Sequence, residues 1–134
     1  MNKLYNFLVI DDDEINNMIC RLVIQQVITE TTIQTYTKAE KALEYIAAEY
    51  TKEGKETPVI LLLDINMPSM SGWEFLDEFE TLSEQIKKSF LIYMLSSSVD
   101  ERDMQRADAN VNVQGFLSKP LNKLMVEKLS SREN

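Results

Sequence analysis

Residues 5–14 read YNFLVIDDDE, an almost unbroken apolar run that ends on four acids, Asp11, Asp12, Asp13 and Glu14. A short apolar run closed by polar residues suits a strand covered on both faces. Residues 59–63 (VILLL) and 90–95 (FLIYML) have the same character, and 32–36 (TIQTY) and 113–117 (VQGFL) read as two further strands. Helical spacing fills the gaps. Ile15, Met18, Ile19, Leu22, Val23 and Val27 make one stripe, and Ala39, Ala42, Leu43, Ile46 and Tyr50 a second. Phe75, Leu76, Phe79 and Leu82 make a third, Val99, Met104 and Ala107 a fourth, and Leu121, Leu124, Met125 and Leu129 a fifth. Thr37-x-x-Glu40, Ser71-x-x-Glu74 and Ser98-x-x-Glu101 each match a capping box at a helix start. Pro120 suits a first helical position, and Asp13 suits the N-terminal end of the first helix.

Strand then helix, five times over, predicts an α/β fold: a doubly wound five-stranded parallel sheet with five helices on its two faces. In such folds the working crevice lies beyond the carboxyl ends of the strands. Asp11 and Asp12 follow the first strand, Asp64 and Asn66 the third, Ser96–Ser98 the fourth, and Ser118, Lys119 and Pro120 the fifth. The alternation therefore predicts three carboxylates, a hydroxyl and a lysine on one edge.

Three ionised carboxylates at about 5 Å repel by on the order of 3 kcal/mol per pair at an effective dielectric near 20. A divalent cation, the Lys119 ammonium or a proton must offset that. All-oxygen ligands favour Mg²⁺. A carboxylate beside Mg²⁺ and an ammonium is suited to attack phosphorus and form an aspartyl phosphate. Ser96 is placed to donate a hydrogen bond to a phosphoryl oxygen.

Composition narrows the alternatives. The chain has 134 residues, 44% of them hydrophobic and 27% charged, a size and balance that fit one globular domain. Its formal charge of −8 argues against nucleic acid or an anionic membrane as the main partner. It has no histidine, which excludes Ser-His catalysis, His-ligated zinc and a phosphohistidine carrier. One cysteine, Cys20, excludes an internal disulfide and reads as packing on the first helix. No apolar run approaches membrane-spanning length and no basic-then-apolar leader opens the chain, so a cytoplasmic location is expected. Residues 51–58 (TKEGKETP) read as a loop and 130–134 as a frayed tail. Trp73 reads as partial packing on the third helix.

Four segments in order, FLVIDDDE (7–14), LLLDINMPSMSGWEFL (61–76), MLSSS (94–98) and GFLSKPL (115–121), resemble the receiver domain of two-component response regulators. The resemblance spans roughly residues 5–129 and implies a flavodoxin-like receiver fold with strand order 2-1-3-4-5. By position it implies that Asp64 is the phosphoacceptor and that Asp11 and Asp12 hold Mg²⁺ together with Asp64, Asp12 more directly. It implies that Asn66 offers its backbone carbonyl to the metal and that Lys119 contacts the phosphoryl group. Ser96 and Phe116 take the switch positions, with Phe116 where a tyrosine is common, and Lys119–Pro120 is expected to be cis. Asp13 and the length of the 51–58 loop depart from the family pattern.

The resemblance further implies a bacterial-type, stand-alone, single-domain regulator over residues 1–134. It would be a phosphoprotein catalysing only its own phosphorylation and dephosphorylation. A histidine kinase or histidine phosphotransfer protein would be the donor. Output would pass by protein contact or onward phosphotransfer through the face of the fourth helix, fifth strand and fifth helix, from a monomer or weak homodimer. Two other readings fit less of the chain. A haloacid-dehalogenase-type enzyme matches Asp11-x-Asp13 but meets Ile15 where Thr or Val belongs and leaves Asp64 unexplained. A flavodoxin-like nucleotide or cofactor site lacks a glycine-rich phosphate loop, since the only glycines are Gly54, Gly72 and Gly115.

Overall fold

The computed structural model describes residues 5–50, 57–98 and 100–131. Most of the 51–58 loop, Val99 of the fourth stripe and the end of the tail lie outside the described residues. Five strands, β1 (Asn6–Ile10), β2 (Ile33–Tyr36), β3 (Val59–Asp64), β4 (Phe90–Ser96) and β5 (Val113–Ser118), form one parallel sheet in the order β2-β1-β3-β4-β5. The helices are α1 (Glu14–Val27), α2 (Ala39–Glu49), α3 (Gly72–Glu80), α4 (Glu84–Lys87), α5 (Glu101–Ala109) and α6 (Lys123–Ser130). The doubly wound sheet is as expected, with one helix more than the five read from the sequence. The addition, α4, is a single turn capped by Ser83 that buries Ile86, too short to show a period. The fourth and fifth helical stripes therefore correspond to α5 and α6.

Side-chain alternation along the strands divides the core. Leu8, Ile10, Leu61, Leu63, Ile92 and Met94 pack with Ala42 and Ile46 of α2 and Phe75, Leu76 and Phe79 of α3. Phe7, Val9, Ile60, Leu62, Tyr93 and Leu95 face the other way, onto Cys20 and Ile24 of α1 and Val126 and Leu129 of α6. All six residues of β3 are buried, which explains its unbroken apolar reading.

The helix starts differ in part from expectation. Ser71 and Glu74 form the full capping box of α3. The cap of α2 is Lys38, with no side-chain hydrogen bond, so Thr37 stands one residue too early. The cap of α5 is Asp100 rather than Ser98, whose carbonyl accepts a hydrogen bond from the Ser96 hydroxyl at 3.1 Å. Asn122 caps α6, leaving Pro120 in the connector before it. The Lys119–Pro120 peptide is cis, as expected.

The largest correction concerns α1. Ile15, Met18, Ile19 and Leu22 are 63%, 55%, 37% and 52% exposed, and the buried residues of the helix are Asn16, Asn17, Cys20 and Ile24. The helix is rolled because its first turn must present amides, not methyls, to the end of β1. The Asn16 side chain donates to Asp11 Oδ2 at 2.7 Å, and that of Asn17 donates to the Asp11 carbonyl at 3.0 Å. A buried carboxylate and the backbone carbonyl beside it need those donors, and an isoleucine could not supply them.

Candidate functional site

Parallel register brings the polar residues together. Ile10 is level with Leu63, Asp64 with Leu95, and Ser96 with Ser118. Asp11 therefore leaves β1 beside the end of β3, where Asp64 is the last residue, and Lys119 follows directly on β5. Carboxylate oxygens of Asp11, Asp12 and Asp64 lie within 4.8 Å of one another. Asp11 and Asp64 are buried, whereas Asp12 is exposed at the mouth.

Asp11 is held on every side. Its Oδ1 accepts from the Asp13 amide at 2.9 Å, and its Oδ2 accepts from Asn16 and from Lys119 Nζ at 2.6 Å. The same ammonium donates to Asp64 Oδ1 at 3.2 Å. Burial works against the Lys119 charge, but the hydrogen bond and charge of Asp11, then of Asp64, outweigh it and raise its pKa above the ordinary lysine value. Asp64 is pushed up to about 6, first by burial and then by the Asp11 charge, with Lys119 pulling the other way and Asp12 adding a little. One ammonium thus faces three acids, and the pocket stays short of positive charge.

That deficit is the test of metal fit. The set is all oxygen, two of its three carboxylates are buried, and a lysine alone leaves Asp64 prone to protonation. A hard divalent cation suits those donors. Asp13, the third aspartate of the run, instead caps α1, accepting from the Ile15 amide at 2.9 Å.

The remaining predicted residues lie on or next to β3, β4 and β5. Asn66 is exposed, two positions beyond Asp64. The Ser96 hydroxyl is buried and forms a local ring with Ser98, accepting from the Ser98 amide at 3.3 Å as well as donating to its carbonyl. Phe116 pairs with Met94 across the sheet and is half-buried against the core. The Lys119 amide donates to the Ser96 carbonyl at 2.8 Å, which ties the end of β5 to that of β4. Pro120 follows it and is exposed.

Three supporting residues were not read from the sequence as part of the site. Asn16 and Asn17 hold Asp11, and their signal was two adjacent amides in the first turn after an acidic strand end. Gly72 packs against the backbone behind Asp64: a Cβ added there would stand 2.5 Å from the Asp64 carbonyl oxygen. Trp73 beside it is buried, with the Arg106 guanidinium of α5 over its ring at 4.6 Å from the centroid. The Cys20 thiol, enclosed near Asn16, is pushed up to about 11, first by burial and then by Asp11, which fits a packing role.

A parallel sheet with carboxylates gathered around a lysine at its carboxyl edge defines an α/β domain with an acidic pocket. The family model for the response regulator receiver domain matches residues 7–129, and the chain belongs to that family. A two-component response regulator from Cytophaga hutchinsonii has a crystal structure that superposes with a TM-score of 0.85, at 33% identity, covering 95% of this chain and 94% of that one. A response regulator receiver protein from Dyadobacter fermentans superposes at 0.82, with 25% identity over 93% and 94% of the two chains. The two-component response regulator ORR1 of Oryza sativa subsp. japonica is 26% identical over 125 residues, covering 91% of this chain. The chain spans about half the length of that rice relative, 52%. Among the described residues no helix is long and apolar enough to cross a membrane.

Proposed function

We propose that the chain accepts a phosphoryl group on Asp64 from a phosphohistidine of a partner kinase or phosphotransfer protein, with Mg²⁺ held by Asp11, Asp12, Asp64 and the Asn66 carbonyl. The observation that carries this reading is the meeting of three carboxylates with the Lys119 nitrogen at the ends of β1, β3 and β5. In the transfer an Asp64 oxygen forms a bond to phosphorus as the phosphorus–nitrogen bond breaks, and the donor imidazole leaves with the electron pair. Asp64 must be ionised to attack, and Lys119, 3.2 Å away, favours that form. Lys119 then lies within reach of the new phosphoryl oxygens. When bound, Mg²⁺ supplies positive charge for those oxygens.

Phosphorylation adds charge and acceptors beside Ser96. Reorienting its hydroxyl toward them breaks the hydrogen bond to Ser98, just before α5. With Phe116 half-buried on β5, that move biases the α5–β5–α6 face, which is the output surface in this reading. A partner protein reads that face, and the chain is a monomer or weak homodimer. This activity is self-phosphorylation and hydrolysis rather than turnover of a separate substrate.

Beryllofluoride with Mg²⁺ mimics the phosphoryl group and tests the pocket. Fluorine resonance should show bound beryllofluoride in the parent chain and none in Asp64→Asn. A bound signal of equal size in that variant would remove Asp64 from the role.

A further inference from the structure

Among the helices longer than one turn, α5 buries the least: Ala107 alone, whereas α3 buries five residues. Its last turn reaches α3 through a charged side chain, the Arg106 guanidinium, which lies 4.6 Å from the centroid of the Trp73 ring. Arg106 makes no ion pair among the described residues, so the indole face is what its charge meets. A cation in the last turn suits the helix dipole, but the dipole does not account for its place on the ring. Trp73 is itself fixed from behind. Gly72 donates its amide to the Ile65 carbonyl at 2.8 Å and is pressed against the Asp64 carbonyl, so the indole stands on backbone tied to the acceptor loop. The Arg106–Trp73 contact thus joins the end of α5 to the backbone behind Asp64, while the Ser96–Ser98 ring joins the approach to its start to β4.

We infer that the Arg106–Trp73 contact is a latch that holds α5 in its resting place and makes Arg106 a positioning residue for phosphoryl acceptance at Asp64. The inference rests on the phosphoacceptor reading. In that reading the Ser96 hydroxyl leaves Ser98 for the phosphoryl oxygens and frees the start of α5. With Ala107 its only buried residue, the helix then shifts as a unit and the guanidinium slides off the indole. A contact made only in the resting form opposes the form that the phosphoryl group favours. Linkage runs both ways: removing the contact strengthens binding of a phosphoryl mimic, and binding the mimic weakens the contact. A cation on a ring with one side open to water is worth roughly a threefold to fivefold change in such an equilibrium. An Arg106 that only braced the fold would have the other sign, because its loss would leave that affinity equal or lower.

Arg106→Gln keeps a polar side chain and removes the charge. Titration of the full chain with beryllofluoride at saturating Mg²⁺, followed by fluorine resonance, should show binding about threefold tighter than in the parent, with Arg106→Lys in between. In a Trp73→Leu background, Arg106→Gln should change nothing further. Trp73 is the only tryptophan of the chain, so its emission reads the latch directly. That emission should shift when beryllofluoride saturates the parent, and shift less in Arg106→Gln; this comparison decides the matter even where Trp73→Leu does not fold. Equal or weaker binding in Arg106→Gln, an effect of the same size without the indole, or parent emission that ignores bound beryllofluoride would overturn the latch alone. A parent chain that binds no beryllofluoride would overturn the phosphoacceptor reading and the latch with it.

Discussion

Replacing Asp64 by asparagine should make the metal-free protein more stable, although it destroys the proposed acceptor. The folded carboxyl titrates at about 6 against an ordinary 3.8, so it holds its proton more tightly folded than unfolded. A raised acid pKa means that stability falls as pH rises from about 4 to about 6 and then stays level. The gap of roughly two units corresponds to about 3 kcal/mol. Asparagine has nearly the same shape, keeps an oxygen for Lys119 and carries no charge to repel Asp11. Lys119 would then pair with Asp11 alone, at 2.6 Å. Urea unfolding with a chelator present, from pH 4 to pH 8, should show the variant ahead by up to about 3 kcal/mol above pH 6. The two curves should converge toward pH 4, where both side chains are neutral. Saturating Mg²⁺ should narrow the gap, since it stabilises the form that binds it better. A variant no more stable than the parent at pH 7, or a gap that persists unchanged at pH 4, would refute the reasoning.

Lys119→Met should cost about 3–5 kcal/mol in metal-free buffer at pH 7, because Asp11 and Asp64 lose their shared cation, and Mg²⁺ should restore part of it; thermal unfolding with and without metal reads both effects. Gly72→Ala drives a Cβ against the Asp64 carbonyl, so it should destabilise by about 1–3 kcal/mol and weaken Mg²⁺ binding measured by calorimetry; an unaffected metal affinity would mean the loop yields without moving Asp64. On α1, Leu22→Ala should change stability by no more than about 0.5 kcal/mol, whereas Ile24→Ala should cost about 2–5 kcal/mol; equal losses in urea unfolding would contradict the observed roll of the helix.

The sheet was legible because its three central strands are buried on both faces, so YNFLVI, VILLL and FLIYML read as strands. The site followed from the topology, since each strand ends where its polar residue begins. What the sequence hid was local competition. On α1 the apolar spacing of Ile15, Met18, Ile19 and Leu22 was real, but the amides of Asn16 and Asn17 were claimed by Asp11 and turned that stripe outward. Periodicity shows that a helix has an apolar face and is silent on whether the core or a partner receives it. The cap at Ser98 failed for a similar reason, because its backbone is engaged by the Ser96 hydroxyl. Gly72 was visible in the motif, but the close approach to Asp64 that requires it is visible only in three dimensions.

The central claim is that Asp64 carries the phosphoryl group, and labelling by a small phosphodonor with Mg²⁺ tests it most directly. Acetyl phosphate should add one phosphoryl group to the intact chain, labile to acid and hydroxylamine and mapped by mass spectrometry to Asp64. The label should be absent from Asp64→Asn and from chelated protein. A full, acid-stable label on a serine or threonine, or undiminished labelling of Asp64→Asn, would contradict the account.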